Sequence, residues 1–126
     1  MKLLLDTHVV LWAFSDPMLV SLELRDALRR RTPATVSVAS LWEIAIKSAK
    51  GKLEAPEDLP ERLLDAGFDI LSISLRHAWA VRSMPAALST ADPFDRLLYT
   101  QARVEGLTLA TRDAALLRSG IDVLRA

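Results

Sequence analysis

Short apolar runs alternate with longer amphipathic stretches from one end of the chain to the other. Residues 3–5, 35–38, 70–73, 107–110 and 122–124 have strand length and are apolar or β-branched at most positions, the pattern of strands covered by neighbours. Between them, residues 9–14, 20–31, 41–50, 59–66, 75–84, 93–105 and 114–118 read as helices. That alternation predicts an α/β fold: a central parallel sheet of about five strands flanked by helices on both faces. Gly51, Gly106 and Gly120 each follow a helical stretch, where a residue that tolerates positive φ ends a helix at little cost. Residues 51–60, with two prolines and several charges, and residues 85–89 read as surface connections.

About half of the 126 residues are apolar, which suits one domain over residues 1–126 with a real core. The absence of cysteine removes disulfides, thiolate zinc sites and cysteine nucleophiles. Lys2 is followed by a three-residue apolar run that ends at Asp6, too short for a signal peptide or a membrane span, so a soluble cytoplasmic protein without a membrane partner is expected. Sixteen basic residues balance sixteen acidic ones, so any nucleic acid must be held by local patches rather than bulk charge. Arg29, Arg30 and Arg31 form one such patch and Lys47, Lys50 and Lys52 another, although solvated helix ends explain both equally well.

The acids change the picture more. Asp6 follows the first strand, Glu43 lies one helical turn beyond the second, and Asp113 lies just beyond the fourth, all at carboxyl ends, where open parallel sheets bind ligands. A helix feeding a parallel strand is expected to begin at the sheet's other end, which leaves Asp92 and Asp95 unplaced by topology. Each acid also has a capping role open to it. Ser40 and Glu43 fit an S-x-x-E capping box, Asp92 before Pro93 fits an N-cap with Asp95 in the first turn, and Thr111 or Asp113 fits the cap of the short helix that follows. Several carboxylates at one edge nevertheless repel one another unless a cation neutralises them, and at the carboxyl ends of the strands that carry them the one basic residue is Arg112. Oxygen ligands without cysteine or paired histidines favour magnesium or manganese over zinc.

Four segments stand in order: L-L-D-T-H at 4–8, S-x-W-E-I-A-I-K at 40–47, D-P-F-D-R at 92–96 and T-R-D at 111–113. Together they resemble the PIN domain, and specifically the toxin of VapBC-type toxin–antitoxin pairs, over residues 2–123. The resemblance implies a Mg2+-dependent endoribonuclease, with Mn2+ as a substitute, that hydrolyses RNA phosphodiester bonds by metal-activated water and leaves 5′-phosphate and 3′-hydroxyl ends. Asp6, Glu43 and Asp95 match the family's core acids, Asp113 its fourth and Thr111 the hydroxyl beside it, and the helix of Asp95 is implied to start in the pocket. Magnesium would be held by Asp6 and Asp95, with Glu43 and Asp113 holding a second ion or water. Asp92 belongs to the extended D-P-F-D-R form, near the metal or as a cap. Thr90 stands where relatives often carry histidine.

Thr111, Arg96 and Arg112, beside the pocket acids, are candidates for substrate or metal-water contact. Lys47 is placed to pair with Glu43 at i,i+4 or to meet RNA phosphate. His8 and His77 read as structural. Trp12, Trp42 and Trp79 suit the core or a dimer interface better than base stacking. The resemblance further implies a homodimer and a cognate antitoxin that covers the acids with a basic residue.

Three rivals are weaker on their residues. A receiver-type phosphotransfer module needs paired acids after the first strand, and dehalogenase-like phosphatases need aspartates two apart, where His8 stands. A binding module that has lost its metal site should have lost a pocket acid.

Overall fold

A computed structural model describes residues 1–126. Five strands, β1 (Leu3–Leu5), β2 (Ala34–Ser37), β3 (Asp69–Leu71), β4 (Thr108–Thr111) and β5 (Val123–Arg125), form one parallel sheet in the order β3-β2-β1-β4-β5. The helices are α1 (Thr7–Ser15), α2 (Leu22–Arg29), α3 (Val38–Ala49), α4 (Leu59–Asp65), α5 (Leu75–Ala80), α6 (Pro93–Glu105) and α7 (Ala114–Leu117). None is long and apolar enough to cross a membrane.

Successive strand side chains point to opposite faces, and β1 shows both faces covered. Leu3 and Leu5 join Val36 and Ala110 in a core that takes in Val9 and Val10 of α1, Leu24 of α2 and Leu63 of α4. Leu4 joins Leu109 in a second core with Leu98 and Ala102 of α6 and Leu116 of α7. Each fully buried leucine contributes about 1.5–3 kcal/mol through area removed from water. β1 is therefore fixed from both sides, and with it the position of Asp6.

Sequence order runs outward from β1 through β2 and β3 on one side and resumes at β4 and β5 on the other, so the sheet switches direction at β1. The crevice of an open parallel sheet lies at such a switch, outside the carboxyl ends. The expectation that a helix feeding a parallel strand begins at the far end is reversed. A crossover helix runs antiparallel to the strands it joins, so it begins at their carboxyl edge and ends at their amino edge. Accordingly α6 ends at Gly106, in the left-handed conformation (φ 67°), just before β4 begins, and its first residues join the crevice.

Several expected boundaries also move. Val38 begins α3 instead of ending β2, because Ser37 Oγ accepts the Ala39 N–H and caps the helix. β4 starts at Thr108 rather than at Leu107, and α2 starts after a Ser21 cap, following a separate 3-10 turn at Pro17–Leu19. The helix expected over 75–84 stops at Ala80 and tightens into a 3-10 turn, Val81–Ser83. Residues 85–89 are not a bare surface loop: Ala86–Leu88 form another 3-10 turn, and Leu88 is fully buried. The capping box lies at Ser74 and His77, where the buried His77 accepts the Ser74 N–H at Nδ1 and reaches Glu105 through Nε2. His77 is thus structural, as expected.

Candidate active site

Asp6 emerges from the carboxyl end of β1 with its backbone N–H bonded to Ala110 O of β4, which sets it beside the end of that strand. Both its carboxylate oxygens are occupied: Oδ1 accepts the Thr7 N–H and Oδ2 accepts the Thr111 hydroxyl, each at 2.7 Å. Thr111 Oγ1 also accepts the Asp113 N–H at 3.0 Å. This hydroxyl is fully buried, so Thr111 acts on the two acids and not on substrate, which corrects the contact role expected for it.

Glu43 is buried in the second turn of α3, too deep in the helix to be the reaching partner of a capping box with Ser40. Its Oε1 lies 2.7 Å from Thr7 Oγ1, and Lys47 Nζ holds Oε2 at 2.5 Å. Thr7 Oγ1 is also 3.1 Å from Ser40 Oγ. A hydroxyl has one proton, and the shorter contact to the carboxylate claims it, leaving Ser40 to donate to Thr7. The Lys47 ammonium is held above its usual range by that bond to Glu43, burial opposing, with Asp92 and Asp95 adding to the attraction.

Asp92 caps α6 by accepting the Asp95 N–H, and Asp113 caps α7 by accepting the Leu116 N–H. Each uses one oxygen for this and leaves the other without a hydrogen bond in the chain. Capping and pocket roles are therefore compatible. Asp95 differs: half-buried, its carboxylate accepts nothing.

All five acids line one cavity of about 320 Å³, together with Lys47, Arg112, His8 and Trp12. Burial first, then repulsion from Asp6, Asp92, Asp113 and Glu43, pushes the Asp95 carboxyl from 3.8 up to about 7. Asp6 is raised as well, by burial, against the pull of its hydrogen bonds and of His8. Five carboxylates facing two strong bases make a site that gains from a cation. No three of the candidate ligand side chains already stand close enough to form a closed metal cage. The donor set suits a hydrated hard ion such as Mg2+, which takes one or two carboxylates and keeps several waters.

The remaining candidates divide. Arg112 lines the cavity, pinned by backbone carbonyls of Ala126 and Leu19 and stacked over the Trp12 ring. Arg96 does not line it, and its Nε is buried without a partner. Trp42 and Trp79 are 57% and 67% exposed, which overturns a core role for both. Arg29 and Arg31 line a separate cavity. Thr7 carried no expected role, although it stands inside the L-L-D-T-H segment directly after Asp6.

The profile of the PIN domain matches residues 3–120, a span that contains all four motifs. The chain belongs to the PIN domain family. Its receiver-like and dehalogenase-like alternatives fall with that match. This PIN domain is similar to the ribonuclease VapC22 of Mycobacterium tuberculosis, 25% identical over 114 residues that cover 90% of this chain and 88% of the relative. Among solved structures it resembles a DNA-bound VapBC from Salmonella typhimurium, with a TM-score of 0.74 at 20% identity over 98% of this chain and 97% of that one. It likewise resembles VapBC2 from Rickettsia felis bound to a promoter DNA fragment, with a TM-score of 0.72 at 17% identity over 98% of both chains.

Proposed function

We propose that this PIN domain is a Mg2+-dependent endoribonuclease, the toxin of a type II toxin–antitoxin pair, which hydrolyses RNA phosphodiester bonds in the cytoplasm. The observation that carries the reading is Asp95, half-buried without a hydrogen-bond donor and surrounded by four other carboxylates. Supporting it, the curated relative is named a ribonuclease, and the solved relatives are toxin–antitoxin complexes.

Asp6 and Asp95 would hold Mg2+ (or Mn2+), and Glu43 and Asp113 would hold a second ion or water. When bound, the metal supplies positive charge that offsets the acids and eases deprotonation of the attacking water. Thr7 and Thr111 keep Glu43 and Asp6 in place without entering the cavity's chemistry. Lys47 spends its ammonium on Glu43, whereas Arg112, held through Nε and Nη2, keeps its Nη1 donors for a scissile phosphate. The products carry 5′-phosphate and 3′-hydroxyl ends.

An antitoxin fits the same arrangement, since a basic side chain placed among the five acids replaces the ion. Exposed Trp42 and Trp79 offer apolar area to a second copy in a homodimer. The reading is tested by cleavage with Asp6→Asn, Asp95→Asn and, as a control, Glu23→Gln on the exposed side of α2. Loss of cutting in the first two alone supports it. Equal activity in all three removes the metal-pocket assignment.

A further inference from the structure

Resting on the ribonuclease reading, we infer that His8, stacked on Trp12 beside the acid cavity, is the platform for a nucleobase of the RNA strand next to the cleaved bond. His8 and Trp12 are one helical turn apart on α1, with ring centroids at 5.9 Å and planes inclined by 23°. The Arg112 guanidinium sits 4.6 Å from the Trp12 ring, and all three side chains line the cavity that holds the acids.

The roles within the stack are unequal. Trp12 is half-buried against the main core, and Arg112 is pinned by two backbone carbonyls, so both are held without help from His8. His8 is exposed, and its ring makes no hydrogen bond within the chain. Its imidazole therefore adds little to the fold while presenting a flat aromatic surface, backed by a fixed indole, two residues beyond Asp6. A strand whose phosphate enters the cavity brings its adjoining base to that surface. Stacking accepts any base, because every base has a π face.

The test uses the full chain with Mg2+ on a single-stranded RNA that it cuts, made with either an intact or an abasic nucleotide next to the cleaved bond. His8→Ala is expected to raise KM on the order of tenfold, with a smaller effect on kcat, and His8→Phe to restore it. The abasic substrate should raise the wild-type KM similarly and add nothing further in His8→Ala. An unchanged KM in His8→Ala, a Phe variant as poor as Ala, or independent multiplication of the two losses would overturn the platform. If the wild type cuts no RNA, the ribonuclease reading fails instead. The platform is then judged in a Trp42→Phe, Trp79→Phe background from Trp12 fluorescence: quenching by the intact oligomer above the abasic one supports it, and equal quenching overturns it.

Discussion

Thr111 Oγ1 donates to Asp6 Oδ2 at 2.7 Å and accepts the Asp113 N–H at 3.0 Å, so one buried hydroxyl ties two pocket acids together across adjacent strands. Thr111→Val fills the same space and leaves both partners unpaired. It should cost about 1–3 kcal/mol in denaturant unfolding and weaken Mg2+ binding in a calorimetric titration, with Thr111→Ser recovering most of both. A variant with unchanged metal affinity would show that Asp6 does not need the hydroxyl.

Lys47 neutralises the buried Glu43 at 2.5 Å. Lys47→Met strands that carboxylate. Because the lysine is partly exposed, solvent screens the loss, and about 1–2 kcal/mol of stability should disappear without metal. Added Mg2+ should recover part of it, read as a larger rise in Tm than the wild type shows.

Asp113 caps α7 and faces the cavity at once, so two substitutions separate its roles. Asp113→Asn retains a capping oxygen while removing the charge, and should lose RNA cleavage with little change in Tm. Asp113→Ala also removes the cap and should cost about 1 kcal/mol more. Equal stability in both variants would deny the capping contribution.

The Asp95 carboxyl, raised from 3.8 to about 7, makes the metal-free protein sensitive to pH. Between those values the folded chain keeps a proton that the unfolded chain has lost. Asp95 therefore contributes stability that is complete below about pH 4 and is lost as pH rises through about 7. Asp6, raised in the same sense, adds to the trend. Thermal melts in chelator should show Tm falling across that window, and Mg2+ should flatten the slope while binding more tightly at higher pH. Asp95→Asn should remove most of the slope.

Elements were legible where burial alone dictates the residue type. The three leucines of β1 are apolar because both faces are covered, and they read directly as a strand. Boundaries set by a single hydroxyl were not: Ser37 and Ser40 are both serines ahead of Glu43, and only the backbone shows that Ser37 is the cap. All five site acids stood at strand ends or in motifs, yet their spacing along the chain did not reveal that Asp92 and Asp113 could cap and face the cavity together. The buried Thr7 and Thr111 contacts join residues far apart in sequence, and local pattern carries no trace of such pairing. Topology left Asp95 unplaced because the crossover direction was reversed; the helix direction observed brings its carboxylate to the cavity.

The most direct test of the central claim is cleavage of a pool of cellular RNAs by the wild-type chain, with Mg2+ or Mn2+ and then with chelator, reading the chemistry of the product ends. Metal-dependent cuts that leave 5′-phosphates and 3′-hydroxyls are the predicted result. Folded protein that leaves the pool uncut, or that produces 2′,3′-cyclic phosphates regardless of chelator, would contradict it.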